Sequence, residues 1–195
     1  LSEGQIKASR EVYEQVLASV VTLESLVTEM LNLKKIESGQ LKLNKAQASL
    51  RAIIKRVTSL YRYSAHTKRI KLTTHCRHKQ ELLVVDEERL FNALAAVVDN
   101  ALKFTPEGGS VAVRTADTQA EWRIQVIDTG YGIPLDEHPR IFEKYFRGAL
   151  ALQKGVDGNG IGLLVAKLII NAHGGDITFT SQPGKGSTFT ISIPK

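Results

Sequence analysis

Residues 97–109, VVDNALKFTPEGG, place a polar pair near the end of a predicted amphipathic helix. Asn100 and Lys103 are three residues apart, so they share one face of that helix, beside its apolar stripe. An amide oxygen is a hard ligand that suits Mg²⁺, and a lysine ammonium presents a point charge to phosphate. An ordinary exposed polar helix face would also contain such a pair. The pattern therefore suggests a binding site for magnesium and phosphate, a hypothesis that depends on whether other segments of the sequence support it.

A second segment, DTGYGIP (residues 128–134), begins where a predicted strand ends. The Asp128 carboxylate accepts hydrogen bonds there and is suited to bind the exocyclic amine of adenine. Gly130 and Gly132 let the backbone approach a ligand closely and adopt positive φ angles. A plain glycine-rich turn is the alternative interpretation of these residues.

Two further segments complete the pattern. GNGIGL (residues 158–163) leads into an apolar helix, where backbone N–H groups are exposed to a phosphate chain. It matches neither the P-loop nor the Rossmann glycine pattern, which excludes both. IFEKYFRG (residues 141–148) predicts a short helical piece and opens a loop over residues 148–160 that is typical of a lid, with Arg147 available to pair with phosphate. A flexible surface loop is the alternative.

The first part of the chain reads as one long helix over residues 2–38. Its apolar positions alternate in steps of four and three, which is typical of a helical bundle or coiled coil. They are Val16, Val20, Leu23, Val27 and Met30. Such a helix needs a partner helix, from a segment outside this sequence or from a second chain. Packing on its own domain is the alternative that we favour less.

Residues 41–195 alternate between helical and strand-like patterns. Helices on one face of a mostly antiparallel sheet make an α+β, two-layer α/β sandwich, which is the predicted fold class. The predicted helices are 50–66 with Ser49 as N-cap, one capped by Asp86 that carries Leu90, Leu94, Val97 and Ala101, and 161–173. The predicted strands lie at Leu41–Leu43, Ile70–Thr74, Leu82–Val85, Val111–Val113, Trp122–Val126 and in a closing hairpin over 177–193.

Composition excludes several classes of protein. No run of about 18 apolar residues exists, so no membrane span is expected within these 195 residues. The single cysteine, Cys76, allows no internal disulfide and fits a reducing compartment such as the cytoplasm. Eleven Lys or Arg and no acid lie between Lys42 and Lys79, within a net charge of +6. Because no base-reading motif accompanies them, we expect no nucleic-acid partner and favour a solvated face or a docking face for an acidic partner.

In order and spacing, the four segments closely resemble the ATPase domain of sensor histidine kinases, in the gyrase, chaperone, kinase and MutL ATPase superfamily. Residues 100–106 resemble the N box, 128–133 the first glycine box, 141–148 the F box and 158–163 the second glycine box. Residues 172–175 and 184–189 resemble the closing hairpin region, and 31–43 the exit of the second dimerisation helix. The resemblance implies a second dimerisation helix over residues 1–40, without the phosphoacceptor histidine, and an ATP-binding domain with the Bergerat fold over 41–195.

The resemblance also implies roles for individual residues. Asn100 is expected to coordinate Mg²⁺, Lys103 and Phe104 to line the phosphate and ribose side, and Asp128 to bind the adenine amine with Gly132 and Thr188 close by. The residues expected to bind nucleotide are Asn100, Lys103, Phe104, Asp128, Gly130, Gly132, Ile133, Phe146, Arg147, Gly158, Asn159, Gly160, Ile161, Gly162, Leu163 and Thr188. Those expected to act in transfer of the γ-phosphoryl group are Asn100, Lys103 and Arg147.

The implied partners are ATP or ADP, a phosphoacceptor helix, a response regulator and a second copy bound through residues 1–38. The family usually has a further asparagine one turn before Asn100, where this chain has Ala96. Asn92 lies a further turn back and is not expected to replace it. Ala96 leaves open a regulatory nucleotide-binding module with weak or no kinase activity. It argues against ATP-hydrolysing relatives such as topoisomerases and chaperones, which usually carry a glutamate there.

Overall fold

The computed structural model describes residues 42–76 and 82–195, together with five isolated helical positions, Val12, Tyr13, Val16, Val20 and Lys34. The chain divides into two compact units, Leu1–Gln40 and Leu41–Lys195. Apart from those five positions, the predicted long helix over residues 2–38 lies outside the described residues. The candidate site lies in the second unit.

The second unit mixes helices with a small and a large sheet, as the α+β prediction requires. In chain order its elements are β1 (Ala46–Ser49), α1 (Leu50–Thr67), β2 (Lys71–His75), β3 (Leu82–Val85), α2 (Glu87–Phe104), β4 (Ser110–Asp117), β5 (Glu121–Asp128), a 3-10 helix (Leu135–Arg140), α3 (Ala149–Gln153), α4 (Gly162–Ala172), β6 (Asp176–Gln182) and β7 (Gly186–Pro194). Strands β1 and β3 form an antiparallel pair. The larger sheet has the order β2-β4-β5-β7-β6 and is antiparallel except between β2 and β4.

The helices form because their apolar residues repeat at helical spacing and their first turns are capped. Ser49 Oγ accepts a hydrogen bond from the Ala52 N–H at 3.3 Å, and Asp86 Oδ1 accepts one from Arg89 N–H at 3.1 Å. Both predicted caps are confirmed. Helix α2 contacts both α1 and α4 and also packs against β4 and β5. This placement puts α2, with its candidate ligands, in the centre of the helical layer.

Strand β5 alternates between its two faces. Trp122, Ile124 and Val126 are buried on one face, and Asp128 continues that face at the end of the strand. The two-residue alternation that buries the apolar side chains of β5 therefore also buries the Asp128 carboxylate. None of the helices among the described residues is long and apolar enough to cross a membrane.

The secondary structure differs from the sequence prediction in two places. The predicted helical piece over residues 141–146 is wrong, because the chain turns there and Tyr145 has a φ of 62°, outside the helical region. Helical structure instead lies on either side of it, in the 3-10 helix and in α3. The predicted strand at Leu41–Leu43 is also misplaced: Leu43 is irregular, and β1 begins at Ala46, where pairing with Val85 starts.

Candidate functional site

Asp128 is buried, and only one of its two carboxylate oxygens accepts hydrogen bonds from the described residues. Its side chain is only 5% exposed. Its Oδ1 accepts hydrogen bonds from the backbone N–H groups of Gly130, at 2.8 Å, and Ser187, at 3.1 Å. Burial raises the pKa of this carboxyl, and the two hydrogen bonds oppose that rise only in part. Within residues 42–76 and 82–195 no donor is bonded to Oδ2, so this oxygen is available to accept a hydrogen bond from a ligand.

The first glycine segment packs against the end of α2 because it lacks side chains. A β-carbon at Gly130 would lie 2.5 Å from the Phe104 carbonyl oxygen, so only glycine allows this approach. The next residue, Tyr131, donates its N–H to the same oxygen at 3.1 Å. The predicted strand-end carboxylate and the predicted polar helix face are thereby brought to one region of the molecule.

On the polar face of α2, Asn100 and Lys103 differ in whether another residue already binds their side chain. Asn100 is half-buried, and its amide has no hydrogen-bond partner among the described residues. The Nζ of Lys103 lies 2.6 Å from Oδ2 of Asp99, one turn earlier on the helix. Phe104, the last residue of α2, is half-buried beside the glycine segment. Asn100 is therefore open to a ligand, whereas Lys103 is engaged with a carboxylate.

The second glycine segment approaches α2 one turn before Asn100. A β-carbon at Gly162, the first residue of α4, would lie 3.9 Å from the β-carbon of Ala96. Ile161 is 1% exposed and fixes the start of α4 in the core, while its N–H donates to Oδ1 of Asn159 at 3.0 Å. Leu163 follows, half-buried, in the first turn of α4. The N–H groups at the start of α4 therefore lie close to the helix that carries Asn100.

Residues just before the predicted lid contact Gly160, the last residue of the lid. The Tyr145 N–H donates to the Gly160 carbonyl at 3.1 Å, and a β-carbon at Gly160 would lie 2.6 Å from the Phe146 carbonyl oxygen. Nη2 of Arg147 donates to the Val156 carbonyl at 2.6 Å. Arg147 thus binds the lid backbone in this structure. Gly158 is exposed, and a β-carbon there would meet nothing within 4 Å.

Ser187, rather than the predicted Thr188, is the residue that bonds to Asp128. Ser187 is buried and donates its N–H to Asp128, while Thr188 is paired with Ile127. Successive strand side chains point to opposite faces, so the Thr188 side chain is on the other face of the sheet. Along β7 the apolar residues Phe189, Ile191 and Ile193 alternate and are buried, and Ser187 continues this inward-facing series. This alternation is the signal in the sequence that points to Ser187 rather than Thr188.

Two further residues near the site, Ser181 and His138, were not predicted from the sequence. The Oγ of Ser181 accepts a hydrogen bond from the Ile133 N–H at 2.8 Å and lies 2.9 Å from the Oγ of Ser187. The Nε2 of His138 lies 3.1 Å from the Ile133 carbonyl oxygen. Gly132, next to Ile133, has a φ of 71°, and a β-carbon there would lie 2.0 Å from the Gln182 carbonyl oxygen. These contacts fix the first glycine segment to β6.

Comparison with known proteins places this chain in a family. The model for histidine kinase-, DNA gyrase B- and HSP90-like ATPases matches residues 85–195, which contain all the predicted site residues. The sensor protein SrrB of Staphylococcus aureus (strain MRSA252) is 31% identical over 197 residues, a match that covers 99% of this chain and 33% of SrrB. The chain therefore spans about a third of the length of the curated relatives that it matches.

Solved structures share the fold. ShkA, whose structure was determined with AMPPNP, is 27% identical with a TM-score of 0.83, over 95% of this chain and 38% of ShkA. The histidine kinase ThkA, solved in complex with the response regulator TrrA, is 20% identical with a TM-score of 0.69, over 100% of this chain and 62% of ThkA, which shows the fold alone. From the family match, this chain belongs to the histidine kinase-, DNA gyrase B- and HSP90-like ATPases, and its homologues among them are sensor histidine kinases.

Proposed function

We propose that residues 41–195 are the ATP-binding catalytic domain of a sensor histidine kinase, and that they transfer the γ-phosphoryl group of ATP to a histidine outside this chain. The observation that carries the proposal is the Asp128 carboxylate. Its Oδ1 is held by two backbone N–H groups and its Oδ2 has no donor among the described residues. A buried acceptor of this kind selects a ligand with a hydrogen-bond donor, and the exocyclic amine of adenine supplies one.

The start of α4 supports phosphate binding in the same site. The backbone N–H groups of a helix's first turn lack partners within the helix, and the helix dipole favours an anion there. The approach of Gly162 to Ala96 brings these N–H groups beside α2, which also carries Lys103. A phosphate chain that extends from adenine at Asp128 would reach both elements.

The residues of this region fit Mg²⁺ that is held chiefly by phosphate oxygens and water. Among the described residues no cluster of three or more His, Cys, Asp or Glu could hold a metal ion. Asn100 offers one partner-free amide oxygen, and Mg²⁺ at nucleotide sites commonly takes only one or two protein ligands. When bound, the ion would neutralise phosphate charge. Ala96 provides no second ligand, which predicts a weaker dependence on metal than two amides would give.

Phosphoryl transfer depends mainly on positioning and charge neutralisation, so the protein needs few reactive groups. We assign positioning of the triphosphate to Asn100 and Lys103. Arg147 would exchange its bond with the Val156 carbonyl for one with the γ-phosphate when the lid closes. Gly158 and Gly160 belong to the same lid and would move with it, together with Phe146, which packs against Gly160.

The partners follow from the same proposal. The nucleophile would be a histidine on a dimerisation helix, with residues 1–40 as the second helix of that hairpin and a second copy bound through residues 1–38. A response regulator would then receive the phosphoryl group; the complex of ThkA with TrrA supports this assignment. We place the domain in the cytoplasm, where ATP and the regulator are found.

Calorimetric titration with ADP and an ATP analogue, with and without Mg²⁺, tests the binding step. Transfer from ATP labelled on the γ-phosphate to a separately supplied dimerisation segment tests the reaction. We expect metal-enhanced binding and weak transfer, and no labelling of the chain alone. Binding with no transfer under any condition would instead favour the regulatory module that Ala96 left open, although the sensor-kinase homologues favour the enzyme.

A further inference from the structure

The Ser181 hydroxyl contacts two residues near Asp128, Ile133 in the first glycine segment and Ser187 on β7. It lies on β6 directly opposite Ser187 on β7, and its side chain is half-buried. We propose that Ser181 is a positioning residue for the nucleotide, because its hydroxyl fixes Ile133 on one side of Asp128 and orients the hydroxyl of Ser187 on the other. The consequence for binding depends on the proposed function, whereas the hold on Ile133 does not.

The Ile133 backbone is held by side chains at both of its polar groups. Its N–H donates to the Oγ of Ser181 at 2.8 Å, and its carbonyl oxygen lies 3.1 Å from the Nε2 of His138, which can only donate to it. Two side chains from different elements thus define the position of a residue at the end of the first glycine segment. Without the Ser181 hydroxyl, the part-buried N–H of Ile133 would lose this partner.

The hydroxyl proton of Ser181 has two competing acceptors. The Gly186 carbonyl lies 3.0 Å and the Oγ of Ser187 2.9 Å from the Oγ of Ser181. A serine hydroxyl has one proton to donate. If Ser181 donates to Ser187, the Ser187 proton is free for a ligand; if Ser181 donates to Gly186, Ser187 donates back to Ser181. The direction of this pair therefore decides whether Ser187 presents a donor or an acceptor beside Asp128.

The direction of the hydrogen bond between Ser181 and Ser187 affects which nucleotide base the site would bind. Ser187 donates its backbone N–H to Oδ1 of Asp128, which places residue 187 beside the carboxylate. Adenine presents an amine donor and, beside it, a ring nitrogen acceptor, whereas hypoxanthine presents an oxygen acceptor and a ring N–H donor at the same places. The Oδ2 of Asp128 with a donating Ser187 matches adenine and not hypoxanthine. By donating to Ser187, the Ser181 hydroxyl would hold the Ser187 oxygen in place with its proton directed to the ligand, whereas without Ser181 the Ser187 hydroxyl could rotate; Ser181 would in this way contribute to selection of adenine.

Hydrogen exchange in the chain without nucleotide tests the hold on Ile133. We expect Ser181→Ala to speed exchange of the Ile133 amide by about tenfold, because one hydrogen bond is lost. Ser181→Thr keeps the hydroxyl and should restore the slow rate. Thr180→Val removes a hydroxyl from the exposed adjacent position on β6 and should have no effect. An unchanged Ile133 rate in Ser181→Ala would overturn the proposal.

Binding of ADP and of inosine diphosphate tests the role in selection. Ser181→Ala should weaken ADP binding by about tenfold and inosine diphosphate binding by only about threefold, because both nucleotides lose the hold on Ile133 but only ADP loses an oriented Ser187 donor; the ratio of the two affinities should fall about threefold. A merely structural role would weaken both equally and lower the melting temperature, which would contradict the proposal. If the wild-type chain binds no ADP, the proposed function fails with the role in selection, and the exchange rates still decide whether Ser181 holds Ile133.

Discussion

The Nζ of Lys103 lies 2.6 Å from the Oδ2 of Asp99, one turn earlier on α2. Both side chains are about one-third exposed, at 36% and 35%. Ion pairs of this kind on a helix stabilise the fold only slightly, by about 0.3–0.5 kcal/mol. The pair matters more for the site, because the cation proposed to bind phosphate already has an anionic partner.

Asp99→Asn should therefore strengthen ADP binding, by about threefold at low salt, since one negative charge next to the phosphates is removed. The gain should shrink as ionic strength rises, and calorimetry at two salt concentrations measures both effects. Asp176→Asn, which neutralises the partner of Lys167, is the matched control and should not change affinity. Weaker binding of Asp99→Asn would indicate that Asp99 orients Lys103 productively.

Asp128→Asn should abolish nucleotide binding without loss of stability. The asparagine oxygen can keep the hydrogen bonds from Gly130 and Ser187, but its NH₂ group replaces Oδ2 and faces the adenine amine. We expect affinity for ADP to fall at least about a hundredfold. Asp128→Ala should also lose binding while the fold stays intact. Unchanged ADP affinity in either variant would refute the site assignment.

Because the pKa of Asp128 is raised in the folded protein, the direction in which Asp128→Asn changes thermal stability can be predicted. Because burial raises its folded pKa above the unfolded value, the favourable contribution is present below the unfolded pKa and is lost as pH rises through the folded pKa. A neutral asparagine has no such loss at neutral pH. The thermal midpoint of Asp128→Asn at pH 7 should equal or exceed that of the wild type. A clear decrease would show that the bonds from Gly130 and Ser187 are stronger to a carboxylate than to an amide oxygen by more than burial of the charge costs.

Ala96→Asn should increase the dependence of binding on Mg²⁺. The new amide would lie one turn before Asn100 on the same face of α2 and offer a second oxygen ligand. We expect the gain in ADP affinity on adding Mg²⁺ to rise about tenfold, and stability to fall by about 0.5 kcal/mol because asparagine is the poorer helix former. Ala96→Val adds volume near Gly162 without an oxygen and is the control. An equal metal effect in all three proteins would exclude this position from the metal site.

His173 should make the fold sensitive to mild acid. Its Nε2 accepts the Asp86 N–H at 3.0 Å and its Nδ1 donates to the Ile169 carbonyl at 2.8 Å, so the buried ring is neutral. Burial lowers its pKa; the nearby Lys45 adds to this, and Asp86 and the Ile169 bond oppose it. A protonated ring would present an N–H to the Asp86 N–H.

The unfolded chain therefore binds more protons than the folded one just below the ordinary histidine pKa of about 6.5. The free energy of unfolding should fall as pH decreases from there towards the lowered pKa of the folded protein. Urea unfolding between pH 7.5 and 5 measures this slope. The slope should be smaller in His173→Gln and unchanged in His66→Gln, which alters an exposed histidine on α1. Identical slopes in all three proteins would contradict the prediction.

Local pattern was sufficient for the elements that carry the site. The α1 and α2 helices begin at the predicted caps Ser49 and Asp86, because apolar spacing and N-cap chemistry act within a few residues. Strand alternation likewise carries Asp128 into the interior at the end of β5. These features need no knowledge of the rest of the chain.

Tertiary structure alone decided which residues meet. Ser181 reaches Ile133 across 48 positions, and Gly162 reaches Ala96 across 66, so no local pattern contains either contact. The segment 141–146 has helical spacing but turns instead, since Tyr145 and Phe146 are held against Gly160 on the far side of the lid. Long-range pairing thus overrides local propensity where separate loops converge, because hydrogen bonding and close packing between them outweigh a helical preference of a few tenths of a kcal/mol per residue.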